Sequence, residues 1–276
     1  MANVCIDGQG PFPFVIDTGA AGSVIDSKLA ANLHLAHVGT PQQFAGVGCT
    51  ATSIGVQVPS WSVGGLSLSA QTVSAAALPD FGGPGQPDGL VGSDVWARFA
   101  AMRLDFARQI LEVPGTEAPA PTSPVVVNGP SSTPVPPALL MGSAQVVAPM
   151  RVEAVEGQVL ISTTVRFAQH RRMQFVPDTG DSQSVIDRAA ARPLGLAPSN
   201  VVAKQTTVCS FVTVPLVHSG PWSIGGNELA QQLIGSTNLG VVGAAGFVGL
   251  LGADQLSRFG SVIFDYQGGR LVLGAG

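Results

Sequence analysis

The chain has 276 residues with 13 Lys+Arg against 17 Asp+Glu, a formal net charge of −4. That length suits about two domains with buried cores, and the lack of a basic surplus argues against nucleic acid or an anionic membrane as partner. With 11% charged residues, 35 Gly and 21 Pro, the composition excludes helix bundles, coiled coils and charge-driven disorder, and favours many short strands.

The first residues, MANVCIDGQGPF, have neither a basic n-region nor an apolar h-region and are not expected to act as a secretory leader. An alternating run then enters Phe14-Val15-Ile16-Asp17-Thr18-Gly19. Ser23-Val24-Ile25-Asp26 follows, and a short helix is predicted over 27–35. Residues 44–58, FAGVGCTATSIGVQV, read as a flap-like segment, and Trp61-Ser62-Val63-Gly64-Gly65 as a hairpin with a core tryptophan. An apolar strand leads into Leu90-Val91-Gly92, with Asp94 at the N-cap of a short helix. A last strand ends at Asp105, a turn former.

Residues 114–148 are rich in Pro, Ser and Thr. Such composition cannot bury enough apolar surface to order itself and reads as a linker of polyproline II character, in which Val125-Val126-Val127 could add a strand elsewhere. The expected division is a first lobe at 1–113, a linker at 114–148 and a second lobe at 149–276.

The second lobe repeats the first. Residues 4–36 align without a gap to 165–197, matching Phe14-Val15 to Phe175-Val176, Asp17-Thr18-Gly19 to Asp178-Thr179-Gly180, and residues 23–26 to 184–187. The register holds at Trp222-Ser223-Ile224-Gly225-Gly226 and, one residue shifted, where GLLGADQLSRFGSVIFDY mirrors GLVGSDVWARFAAMRLDF. A second helix (188–196), a second flap (204–217), an N-cap Asp254 and a turn former Asp265 follow by equivalence. The longest apolar run, residues 239–253, carries five glycines; it is too short for a membrane span and reads as buried strand and loop.

Three cysteines (Cys5, Cys49, Cys209) do not make a disulfide framework, and the four histidines have no metal-ligand spacing. No metal and no cofactor are expected. Cys49 and Cys209 fall at equivalent places in the two flaps, either as two small apolar thiols or as a redox clamp across the cleft.

Asp-Thr-Gly alone is ordinary turn chemistry. Two copies in one repeat register allow Asp17 and Asp178 to meet across a pseudo-two-fold axis. Paired carboxylates cannot both ionise cheaply, so they share a proton and titrate as a unit. Such a dyad holds a base for water and an acid for a carbonyl oxygen, which is machinery for peptide-bond hydrolysis. Gly19 and Gly180 let backbone approach the carboxylates, and the Thr18 and Thr179 hydroxyls can cross the axis to the opposite backbone.

With these motifs in both halves, the sequence resembles the aspartic proteases of the pepsin and retropepsin clan. The resemblance implies an all-β, bilobal fold of two related β-barrel lobes, catalytic Asp17 and Asp178, and Thr18, Gly19, Thr179 and Gly180 as support. It also implies an extended peptide or protein substrate bound beneath a flap at Gly46, Val47 and Gly48, in a monomer, since both half-sites lie in one chain. The small-residue, low-charge composition is similar to that of the aspartic protease domains of mycobacterial PE and PE-PGRS proteins. That likeness implies an extracellular or cell-surface setting, as the C-terminal domain of a longer secreted protein, with other surface proteins or the chain itself as substrates.

The chain departs from the clan in places. Its single tyrosine, Tyr266, is not in a flap, and Pro177 replaces Ile16 before the second aspartate. The second flap lacks glycines and is expected to be stiffer or shorter. Asp181 stands where the first lobe has Ala20; pointing inward, it would raise the dyad's proton affinity, and Asp181→Ser would move the acid limb of the pH–rate profile. These departures support a second reading, a weak or inactive peptide-binding surface module on the same fold. A structural cell-wall domain would explain the composition but not the symmetric dyad.

Overall fold

A computed structural model describes residues 1–80, 86–118, 124–129, 146–167 and 171–274; most of the predicted linker, 119–123 and 130–145, lies outside the described residues. The fold is all-β and bilobal, with a few helices of one or two turns. In each lobe the strand entering the Asp-Thr-Gly loop runs parallel to a later apolar strand: Gln9–Ile16 beside Gly89–Val91, and Arg172–Pro177 beside Gly249–Leu251. The later strand also pairs antiparallel with the short strand leaving the loop, Val24–Asp26 or Val185–Asp187. Each loop is thereby suspended between three hydrogen-bonded strands.

The repeated glycines in these strands have a packing reason. Gly89 sits opposite Phe14 and Gly249 opposite Phe175, and a β-carbon on either glycine would run into the phenylalanine ring. The rings, 2% and 0% exposed, fill the space beneath the loops, and Phe175 stacks edge-on to Trp222 at 6.4 Å between centroids. The Gly-Gly pairs fulfil the hairpin expectation. Gly64 and Gly65 both adopt positive φ (54° and 88°), as do Gly225 and Gly226 (57° and 86°), giving two-residue turns whose twist fits the flanking strands.

The lobes share a sheet. Strand Ala101–Asp105 pairs antiparallel with its own equivalent, Ser261–Asp265, and Arg103 faces Ile263 at the centre of the match. The two residues are repeat equivalents, so the pseudo-two-fold axis passes between them. The Val125 island is a strand, Val125–Asn128, paired antiparallel with Val146–Val155 of the second lobe. The latter also pairs with Arg270–Leu273, which returns to the shared sheet.

Two local expectations fail. Asp94 and Asp254 do not cap helices: Gly92 and Gly252 hold the N-cap positions without a side-chain bond. The carboxylates instead turn inward, Asp94 accepting from Ser23 Oγ at 2.8 Å and Asp254 from Ser184 Oγ at 2.7 Å. A buried serine beneath the loop outcompetes a solvated helix end for the carboxylate. In the apolar run at 239–253, residues Val241–Ala244 form a helical turn where strand and loop were expected, since Gly240 and Gly246, both at positive φ, bracket a segment long enough for one turn. Asp105 and Asp265 do build turns, accepting from Arg108 N at 2.9 Å and Gly268 N at 2.6 Å.

Candidate active site

Asp17 and Asp178 begin where their strands end, their amides donating to Val91 O at 3.0 Å and Leu251 O at 2.9 Å. Each carboxylate is cradled by its own loop. Asp17 Oδ1 accepts from the amides of Gly19 and Ala20, both at 3.0 Å, and Asp178 Oδ1 from those of Gly180 at 2.8 Å and Asp181 at 3.0 Å. Each glycine also faces the opposite carboxylate: a β-carbon on Gly19 would collide with that of Asp178, and one on Gly180 with that of Asp17. The two loops thus bring the aspartates together and make glycine obligatory beside them.

The threonines tie the loops in a closed, symmetric set of bonds. Thr18 Oγ1 donates to Pro177 O at 2.7 Å and accepts from Thr179 N at 3.1 Å. Thr179 Oγ1 donates to Ile16 O at 2.7 Å and accepts from Thr18 N at 3.2 Å. Pro177 has no amide hydrogen, yet only its carbonyl is needed here.

Beneath the first loop, Ser93 Oγ donates to Thr18 O at 2.9 Å and lies 3.0 Å from the Tyr266 hydroxyl. Tyr266, 3% exposed, comes from the end of the second lobe's strand in the shared sheet, and burial holds its phenol neutral well above the usual range. Neither Ser93 nor the inward turn of Asp94 and Asp254 was foreseen from the sequence. The signal for the carboxylates was present, since Ser23/Ser184 and Asp94/Asp254 recur in one register.

Burial and neighbouring carboxylates push both members of the dyad toward the protonated form. Asp17 is raised well above the ordinary carboxyl range, first by burial and then by Asp178. Asp178, 8% exposed, is raised to about 6, first by burial and then by the charge of Asp181. One proton is therefore held between them across the acid to neutral range. A carboxyl raised in the folded state stabilises fully below its unfolded value and loses that contribution as pH rises through its folded value. Thermal stability is accordingly expected to fall as pH rises from about 4 through about 6 and beyond, with a shallower fall in Asp178→Asn; a melting temperature that climbs across this window would contradict the raised values.

Asp181 points inward. Its Oδ2 accepts from Gln205 Nε2 at 2.6 Å and its Oδ1 from Gln183 N at 3.2 Å. Burial raises it to about 6 as well, which revises the expected effect of its removal. Below that pH Asp181 is itself protonated and carries no charge to the dyad. Asp181→Ser is thus expected to draw the alkaline limb of a pH–rate profile to lower pH while leaving the acid limb in place, which steady-state rates across pH would read directly.

Above the dyad lies a cavity of about 520 Å³ between the lobes. Two hairpins roof it: His37–Gly46 with Cys49–Val58, and Pro198–Thr206 with Phe211–His218, the second being the shorter. Gly46 and Val47 line the cavity, while Gly48 makes the turn at φ 67°. The tips cross. Val47 of the first flap packs on the second lobe's apolar wall of Val176, Phe247 and Leu250, and Val208 of the second flap on Val24 and Leu90 of the first lobe. Cys49 and Cys209 form a disulfide at the crossing, so the clamp and not the pair of free thiols is what the structure holds. Among the described residues no group of three or more metal-ligating side chains occurs, and no helix is long and apolar enough to cross a membrane.

Residues 2–95 match the family model of the aspartyl proteases. A solved structure, the aspartic proteinase from Irpex lacteus, is similar over 98% of this chain and 92% of its own, with a TM-score of 0.51 and 13% identity. No curated protein matches the chain. At that identity the likeness establishes the aspartic proteinase fold for both lobes, while the family match rests on the first. Family match and fold together support a hydrolase of the aspartic protease kind.

Proposed function

We propose that the chain is an aspartic endopeptidase that hydrolyses peptide bonds in an extended polypeptide held between dyad and flaps. The observation that carries this reading is the juxtaposition of Asp17 and Asp178, each against the other loop's glycine and each raised toward protonation. In the singly protonated pair, the ionised carboxylate accepts a proton from a bound water as its oxygen attacks the carbonyl carbon. The protonated carboxyl hands its proton to the carbonyl oxygen. Collapse of the resulting diol returns a proton to the departing amine and restores the pair. The cavity wall, with Val24, Phe44, Leu90 and Leu250, suits apolar side chains flanking the scissile bond.

Cleavage of a mixed peptide library at acid to neutral pH, sensitive to pepstatin, is the expected result. A weakly active or inactive peptide-binding module is the second reading, favoured by the disulfide that holds the flap tips together. Binding of library peptides without products would decide for it. The likeness of composition to mycobacterial surface-attached protease domains supports an extracellular or cell-wall setting, where a disulfide persists, with peptide or protein substrates as partners and the chain acting as a monomer.

A further inference from the structure

The two sides of the cavity are not chemically equal. At the register offset of 161, the first lobe places Ala20 and Phe44 where the second places Asp181 and Gln205, and all four line the cavity. Gln205 is 6% exposed and donates its Nε2 to Asp181 Oδ2. Its Oε1 is buried without a hydrogen-bond partner. A buried amide oxygen left bare is costly, so the Gln205 side chain gains by turning that oxygen to a donor entering beside Asp181. The surrounding charge has one sign: Asp178 takes the Asp181 amide, Asp17 and Asp254 act on Asp181 as like charges, and among the described residues the cavity lining holds no lysine, arginine or histidine. The remaining contact of Asp181, from Gln183 N, is neutral.

We propose that Asp181 and Gln205 form a polar subsite that selects a basic side chain, lysine or arginine, on the second lobe's side of the bound peptide. An ammonium or guanidinium has several donors and no acceptor, so one head group can serve the Asp181 carboxylate and, once the Gln205 side chain turns its closed-off oxygen toward the cavity, that oxygen as well. It also brings the positive charge that the carboxylate-rich cavity lacks. An apolar side chain there would leave Gln205 Oε1 unpaired, and an acidic one would add to the repulsion. On the first lobe's side, Ala20 and Phe44 offer no such partner. This subsite rests on the reading of the cavity as a peptide-binding cleft.

The test, run near neutral pH where Asp181 carries its charge, maps products of a mixed peptide library by mass spectrometry, then compares matched peptides carrying lysine or norleucine at the selected position. Lysine or arginine is expected to be enriched at one subsite, with kcat/KM favouring lysine by on the order of 10- to 100-fold. The ratio is expected to fall to near one in Asp181→Asn and severalfold in Gln205→Leu, so that either variant suffices should the other fail to fold. Turnover with no basic preference overturns the subsite. Binding of the same labelled pair to Asp17→Asn separates it from the protease reading: lysine-selective binding by a chain whose native form cleaves nothing supports the subsite and overturns the activity. Equal binding of the two peptides overturns the subsite whatever the activity.

Discussion

Asp17→Asn is expected to lower kcat by roughly 10⁴-fold or more while leaving the fold intact. Each general acid or base step contributes about 10²–10⁴-fold, and a dyad sharing one proton loses both steps when either member cannot ionise. The structure gives reasons why the substitution is tolerated. Asparagine keeps an oxygen for the amides of Gly19 and Ala20, and its amide nitrogen can donate to Asp178 where the shared proton lay. The threonine bonds use only backbone and the Thr18 and Thr179 hydroxyls, so the loops stay joined. Removing one of two like-charged buried groups even relieves repulsion above the pH at which the pair would otherwise lose its proton. A melting temperature held or raised, together with lost turnover, is the expected pair of results. Cleavage that survives in a folded Asp17→Asn would refute the dyad.

Much of this site was legible in the sequence because internal repetition supplied a second measurement of every position. Asp17 and Asp178 stood out through their matched register, and the turn-rich composition pointed to many short strands, while the bilobal β-barrel fold was implied by the resemblance to the aspartic proteases. The Gly-Gly hairpins were readable because only a few turn types join strands by two residues. Other features depended on three-dimensional competition that a linear pattern does not carry. Asp94 has the spacing of a helix cap, yet Ser23, 71 residues away in sequence, claims its carboxylate. Tyr266 stood out only as a tyrosine outside the flaps, and its reach to Ser93 depends on how the shared sheet brings the lobes together. The flap cysteines left two readings open for a similar reason. Cys49 and Cys209, one residue out of the 161 register of the hairpins, meet only when the tips cross at the axis, which neither hairpin's sequence dictates alone.

The crossing of the flaps leads to the second large effect. With Cys49 joined to Cys209, dyad, lobes and flaps form a closed ring around the cavity, and a polypeptide is expected to reach the carboxylates by threading beneath the bridge. A short peptide is expected to enter that way and an internal loop of a folded protein to be held out. Both sulfurs belong to partly exposed residues at the roof, within reach of a small reductant. Reduction, or Cys49→Ser, is therefore expected to raise kcat/KM on a protein substrate while changing that on a short peptide little. The roof then opens against the packing of the tips alone, and the gain on the protein substrate is expected to be on the order of 10-fold or more. Stability should move the other way. The bridge spans 160 residues of sequence, so its loss frees the unfolded chain and lowers stability by about 2–5 kcal/mol, several degrees in melting temperature. Opposite signs in the two measurements distinguish an opened gate from general loosening, which would depress both. Equal rates on the protein substrate before and after reduction would mean that the roof opens without breaking the bridge. The flaps would then have to part by bending their hairpins, against the packing of Val47 and Val208 on the opposite lobes.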